Sequence, residues 1–210
     1  SNKIELTVII PMKNNNVCII GNDPSLLESS KGKLIDSFDT IVRFNRSPIK
    51  GYEENVGTKT TLRFTNRIVS KNGKEDNNED SKFIPSLRNQ IIILDKDNNN
   101  TNINFYQKIF HKTCGYEFIS RKTELKKLLK DKLSDIEFIN RNPTGGLSVI
   151  SYFINQGYDV SICGFGLENN LNRAIIPHFY EKKRVRTSHD YSYEVKIINE
   201  LINKKIIKKL

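Results

Sequence analysis

Short apolar, β-branched runs alternate along this chain with stretches of helical periodicity. That alternation constrains the fold more than any other feature. Residues 17–20, 40–44, 60–64, 90–94 and 160–163 are each four or five residues long and rich in Ile, Val, Phe and Leu, the pattern of strands buried on both faces. Residues 6–10 read the same way. Helical spacing of apolar residues covers 104–112, 123–133, 146–156 and 190–205, and Ser25 offers a cap for a short helix near Leu26. Residues 71–82 and the Asn-rich 95–102 read as loops. Strands separated by helices pair in parallel through crossovers rather than as hairpins. The expected architecture is therefore an α/β domain, a mostly parallel sheet flanked by helices. With 210 residues, no internal repeat and no linker-like segment, the whole span 1–210 reads as a single domain.

The formal net charge of +10 favours anionic partners. Lys204, Lys205, Lys208 and Lys209 alternate with Ile206, Ile207 and Leu210 at the C-terminus. This pattern reads first as the solvated face of a terminal helix, and it leaves open a peripheral contact with an anionic membrane surface. No helix studded with Arg and Lys and no aromatic stacking motif marks a nucleic-acid module, so no nucleic-acid partner is expected. No run of 18 apolar residues is present, and the N-terminus lacks a positive segment followed by an apolar one. Three cysteines, Cys18, Cys114 and Cys163, do not make a disulfide framework. A cytoplasmic location, with membrane association left open, is the expectation; a trimmed lumenal domain of Golgi type is the lesser alternative.

In doubly wound sheets ligands sit beyond the carboxyl ends of the strands. Three strand ends here carry exposed polar groups: Gly21-Asn22-Asp23-Pro24-Ser25, Phe44-Asn45-Arg46-Ser47-Pro48 and Asn142-Pro143-Thr144-Gly145-Gly146. An Asn amide just past a strand can donate to a phosphate, and paired glycines opening a helix let backbone N–H groups approach a ligand. Taken singly, each is an ordinary turn, and Gly21-Asn22 lacks the further glycines of a dinucleotide fingerprint.

In this order, however, the junctions resemble the sialyltransferases. Residues 18–61, from Cys18-Ile19-Ile20-Gly21-Asn22 through Val42-Arg43-Phe44-Asn45 to Val56-Gly57-Thr58, resemble the large motif of that family. Residues 142–166, from Asn142-Pro143-Thr144-Gly145-Gly146 to Gly164-Phe165-Gly166, resemble the small motif. His178-Phe179-Tyr180-Glu181 resembles the third motif, and His189 with Glu194 the very small one. The resemblance implies a GT-A-like fold, a CMP-sugar donor, inversion at the anomeric carbon, and neither metal nor cofactor. By position, it implies that Asn22 and Asn45 bind the CMP phosphate. Thr144, Gly145 and Gly146 would meet ribose or cytosine, with Gly164 and Phe165 beside the base. His178 would stabilise the departing phosphate and His189 would be the catalytic base; Glu194, on the helix that follows, either orients that ring in the catalytic group or supports the helix N-terminus. In animal members a cysteine of the large motif pairs with one of the small motif; Gly157 holds the partner position here, so all three thiols are expected to be free.

The residue chemistry is compatible with these roles. A CMP-sugar leaves as an anion while an acceptor hydroxyl loses a proton, so the site needs hydrogen-bonding groups around a phosphate and a base near the acceptor. Two of the three histidines, His178 and His189, lie in one polar stretch, with Glu194 five residues on; His111 belongs to no motif. Asp95-Lys96-Asp97 lies in an Asn-rich turn and no cysteine–histidine cluster has zinc spacing, so no metal site is expected. Arg43, Arg46 and Arg63 either pair with Asp36, Asp39 and Glu53 or bind an acidic acceptor, and pairing is favoured. The function that follows is transfer of sialic acid from CMP-sialic acid to a glycan acceptor, an oligosaccharide, glycolipid or lipooligosaccharide. The alternatives are transfer of a Kdo-type 2-keto sugar from CMP on the same fold, and a non-catalytic nucleotide or glycan binder.

Overall fold

The computed structural model describes residues 14–45, 47–65, 91–95, 115–167, 178–180 and 190–210. The expectations for residues 6–10, 71–82, 104–112, Arg46, His111, Cys114, Glu181 and His189 lie outside them. Seven strands among the described residues form one sheet: β1 (Asn16–Ile20), β2 (Thr40–Phe44), β3 (Leu62–Thr65), β4 (Ile91–Asp95), β5 (Gly115–Ile119), β6 (Asp159–Cys163) and β7 (Ile207–Lys209). Their order is β5-β4-β3-β2-β1-β6-β7, and every adjacent pair is parallel. The chain winds outward from β1 to β5, then returns to lay β6 against the other side of β1. The strand order thus reverses between β1 and β6, the place where such sheets open a crevice for ligands.

Helices cover both faces. Val17, Ile19, Val42, Phe44, Leu62, Phe64, Val160 and Ile162 pack on one side against the apolar faces of α3 (Arg121–Lys132), α4 (Gly145–Asn155) and α5 (Tyr191–Asn203). Cys18, Ile20, Ile41 and Cys163 pack on the other against Leu26, Ile35 of α1 (Gly32–Asp36), Val56 of α2 (Glu53–Val56) and Phe179. Each fully buried large apolar side chain, such as Phe153 or Leu62, contributes about 1.5–3 kcal/mol of burial.

The helix starts are set by polar caps. Ser120, Thr144 and Asp190 accept the N–H groups of Thr123, Leu147 and Tyr193 at the heads of α3, α4 and α5. The first short helix is a 3₁₀ turn, Pro24–Glu28, and its cap is Asp23 rather than Ser25: the Asp23 carboxylate accepts from Ser25 N at 3.0 Å, and Pro24 sits where no donor is needed. The C-terminus departs further from expectation. The last helix stops at Asn203, Lys205 adopts φ 56°, and residues 207–209 form an edge strand. Lys208 and Lys209 therefore stand on a sheet edge, where lysines discourage strand addition, rather than on a helix. Among the described residues no helix is long and apolar enough to cross a membrane.

Candidate functional site

At the β1/β6 reversal the loops that follow the two strands are joined by close backbone approach. Gly21 N donates to Cys163 O at 2.8 Å and Asp23 N to Gly164 O at 3.0 Å, locking the two loops together. A Cβ on Gly21 would stand 2.0 Å from Gly164 O, so no other residue fits there without parting the strands. Gly164 itself holds φ +69°, a left-handed conformation natural to glycine. The loop after β1 is also bonded to the third motif, for Phe179 N donates to Asn22 O at 2.9 Å. Phe179 packs edge-on against Tyr52 at 4.9 Å and Tyr180 at 5.0 Å, and the His178 ring stacks on Tyr180 at 5.3 Å.

Two asparagines stand side by side at this edge. The register pairs Ile19 with Val42, and Asn22 and Asn45 lie three residues beyond that pair on each chain. Asn45 takes φ 47°, a left-handed turn that Asn tolerates better than most residues. That turn is braced by Asn45 N donating to Phe64 O at 2.8 Å and by Arg63 Nη1 donating to Asn45 O at 2.9 Å. Asn22 Oδ1 is buried and accepts no hydrogen bond among the described residues. A buried amide atom without a partner suits a polar ligand, and rotation of the amide would present its N–H₂ group at the same place.

Helix α4 aims its N-terminus at the same edge. Its first two residues are glycines because aromatic rings take the space a side chain would need: a Cβ on Gly145 would lie 2.4 Å from Phe64 Cε1, and one on Gly146 2.8 Å from Phe165 Cε1. Phe44, Phe64 and Phe165 pack together, with centroids 6.0 and 6.4 Å from Phe44, as an apolar floor under the strand ends. Glu194, 6% exposed, reaches from α5 and accepts from Thr144 N at 2.8 Å and from Thr144 Oγ1 at 2.5 Å.

These contacts gather Asn22, Asn45, Thr144, Gly145, Gly146, Gly164, Phe165 and His178 at the carboxyl ends of β1, β2, β3 and β6. The family model for glycosyltransferase family 29 (sialyltransferase) matches residues 8–206, nearly the whole chain. The chain belongs to this family. Among its relatives is the human CMP-N-acetylneuraminate-beta-galactosamide-alpha-2,3-sialyltransferase 4, 26% identical over 219 residues and aligned over 91% of this chain and 63% of the relative. The chain thus spans less than two thirds of that relative's length. The fold resembles that of a mammalian sialyltransferase solved in complex with Gal-beta-1-3GalNAc-ortho-nitrophenol: TM-score 0.59, 20% identity, 94% of this chain and 69% of that one. It also resembles the sialyltransferase CST-II of Campylobacter jejuni in complex with trisaccharide acceptor and CMP: TM-score 0.53, 18% identity, 92% of this chain and 79% of that one. The parallel sheet flanked by helices is accordingly the GT-A-like sialyltransferase fold.

Two of the arginines, Arg43 and Arg63, have a role that the sequence does not reveal. Arg43 does not pair with Asp36, Asp39 or Glu53. It donates to Val56 O at 2.7 Å, to Lys59 O at 2.9 Å and to Thr60 Oγ1 at 2.9 Å, tying β2 to the loop before β3. Asp36 caps that loop independently, accepting from Thr58 N, Thr58 Oγ1 and Lys59 N. Arg63 donates to Asn45 O and to Ser47 O and Oγ, so it shapes the loop that carries Asn45. Burial pulls both guanidinium groups down to about 10, Arg63 with help from its neighbour Arg43, which leaves both charged at neutral pH. Carbonyl acceptors have no sequence signature; a strand Arg beside a loop rich in turn residues was the one available hint. Cys18 and Cys163 are free thiols, and Cys18, hydrogen-bonded to Cys163 and buried, is held well above the usual thiol range. Gly157, at φ +84°, follows the C-cap of α4, and nothing lies within 4 Å of its would-be Cβ.

Proposed function

We propose that this chain transfers sialic acid from CMP-sialic acid to an acceptor glycan, with inversion, without a metal, and with His189 as general base. The observation that carries this reading is the convergence of Asn22, Asn45, His178 and the capped N-terminus of α4 on the β1/β6 reversal of a sialyltransferase fold. The two amides and the open N–H groups of Gly145 and Gly146 suit a nucleoside monophosphate, and the Phe165 face suits a base. Metal independence is what the resemblance to the family implies, and it needs the EDTA test below because Asp95-Lys96-Asp97 begins on the last residue of β4, at its carboxyl end.

The step balances simply. The acceptor hydroxyl oxygen bonds to the anomeric carbon of the sugar as the bond from that carbon to the phosphate oxygen breaks. The electron pair leaves on CMP, where His178 and the two asparagines stabilise it. The hydroxyl proton passes to His189, an imidazole matched to that task near neutral pH. Glu181 and Glu194 flank these histidines in sequence.

A panel of CMP-sugars against mixed acceptors, read as released CMP with and without EDTA, tests the donor and the metal. Activity with CMP-sialic acid that survives chelation is expected; release from CMP-Kdo alone, or abolition by EDTA, would refute that part. His189→Ala should lower turnover by roughly 10²–10⁴ while leaving CMP affinity within a few-fold, because a general base acts on the acceptor hydroxyl rather than on the nucleotide. His178→Ala should weaken both. Near wild-type turnover in the His189 variant would overturn the assignment.

A further inference from the structure

The cap of α4 is completed by a residue fifty positions away. In an ordinary capping box the N-cap hydroxyl accepts the N–H of the third helical residue, and a Glu or Gln at that third position returns a carboxylate or amide to the N-cap N–H. Thr144 makes the first half, accepting from Leu147 N at 3.2 Å. The second half cannot close within the helix, because the third residue is Leu147, fully buried in the core. Glu194 closes it instead from the first turn of α5, taking Thr144 N on one oxygen and the Thr144 hydroxyl on the other. The polarity is forced: an ionised carboxylate only accepts, so the hydroxyl hydrogen goes to Glu194 and the Oγ1 lone pairs are left for Leu147 N–H.

The rest of this first turn is bolted to the same segment. Tyr193 Oη donates to Glu137 O at 2.7 Å and accepts from Ile139 N at 3.4 Å, and Arg141 lies 3.5 Å from Asp190. The Glu194 carboxylate thus sits at the N-termini of two helices at once, where negative charge is favoured. With Thr144 fixed, the next two N–H groups, of Gly145 and Gly146, are aimed by their contacts with Phe64 and Phe165.

We infer that Glu194 is a positioning residue: acting through Thr144 rather than on the reacting atoms, it completes the α4 cap from α5 and sets the donor-binding end of α4. The same bonds hold the start of α5 against the donor-binding end of α4. The inference rests on the CMP-donor reading above.

The test is CMP affinity by calorimetry, and kcat and KM for the donor, in wild type, Glu194→Ala, Glu194→Gln, Thr144→Val and the double variant Thr144→Val/Glu194→Ala. Urea denaturation of each confirms a folded protein under the assay conditions. Glu194→Ala is expected to raise the CMP Kd by about tenfold, the factor set by roughly one net charge-assisted hydrogen bond. Glu194→Gln, which keeps one acceptor for Thr144 N, should recover part of that loss. Thr144→Val should match Glu194→Ala, and the double variant should be no worse than either single one, because the two side chains act as one unit. At saturating donor, kcat of Glu194→Ala should fall by less than that of His189→Ala. Unchanged CMP affinity with a collapse of kcat in Glu194→Ala would make Glu194 catalytic and overturn the inference. Additive losses in the double variant would overturn it as well. Failure of wild type to bind CMP would refute the donor reading itself, and this inference with it.

Discussion

Gly21→Ala is the sharpest probe of the crevice, because the added methyl meets backbone rather than a yielding side chain. It would stand 2.0 Å from Gly164 O and 2.7 Å from Gly164 C, against an ordinary contact above 3 Å. The two loops must part by roughly an ångström. That movement strains the bonds Gly21 N to Cys163 O and Asp23 N to Gly164 O, each worth about 1 kcal/mol net. Overpacking of a tight site adds about 1–3 kcal/mol. The expected loss is therefore about 3–5 kcal/mol, a large part of a typical domain's 5–15 kcal/mol. Gly51→Ala is the control: Gly51 also holds a left-handed angle, φ +87°, but nothing lies within 4 Å of its would-be Cβ. Only the conformational cost of about 1–2 kcal/mol applies there. Urea denaturation midpoints at constant m-value measure both. CMP calorimetry on the folded fraction should show weakened binding in Gly21→Ala alone, since Asn22 and Gly164 move with the loops. If Gly21→Ala is no less stable than Gly51→Ala, the close approach of the two loops is not what it is argued to be.

Two further outcomes follow from the titratable groups. Burial pushes the Asp36 carboxyl up, but the bonds from Lys59 N, Thr58 Oγ1 and Thr58 N outweigh it and leave the group below its ordinary value. Asp36 therefore contributes stability that is fully present above about pH 4 and is lost as pH falls through its depressed folded value. Asp36→Asn should be less stable than wild type at pH 7, with the gap narrowing below pH ~4; a gap unchanged at pH ~2.5 would contradict this. Cys18 and Cys163, 0% and 5% exposed, should be silent toward a thiol reagent in the native protein, and three thiols should titrate in non-reducing denaturant. A count of one in denaturant would mean a disulfide.

The parts of the fold that were legible in the sequence are those with local causes. β1, β2 and β6 are short β-branched runs, and α4 is announced by Thr144 before it and Gly157 after it. β3 begins two residues later than its composition suggests, because Thr60 and Thr61 turn their hydroxyls to Arg43 and to Ile41 N. Helices α1 and α2, of five and four residues, are too short to show a period, and they exist because Ile35 and Val56 dock on the sheet. β7 was hidden by the apolar spacing of its lysine-rich tail: the strand forms because Ile207 pairs with Val160 at the sheet edge, a tertiary cause with no local mark. In the site, the asparagines and glycines could be picked out as turn residues. The partners of Arg43, Arg63 and Glu194 could not, because carbonyls and a cap fifty residues distant are fixed only once the sheet is assembled.

The two buried arginines bear on the electrostatic potential at the strand ends. Arg43 and Arg63 are opposite one another on β2 and β3, on the sheet face that leads to Asn45. Carbonyl and hydroxyl oxygens accept from both guanidinium groups, satisfying N–H groups without cancelling charge. Two like charges on adjacent strands repel, and burial costs each of them further. A domain tolerates that cost where the oriented carbonyl dipoles of Val56, Lys59, Asn45 and Ser47 offset it. On the proposed reading the arrangement has a use: positive potential arises beneath the loop that presents Asn45 and adds to the amides, backbone N–H groups and His178 that meet the phosphate. Neutral donors of fixed orientation stabilise the charge developing on a departing phosphate without a reorganisation of side chains at the moment of transfer. The specificity for a nucleotide then rests with geometry, set by Gly21, Gly164 and the Glu194-completed cap, and the attraction rests with the buried charge below it.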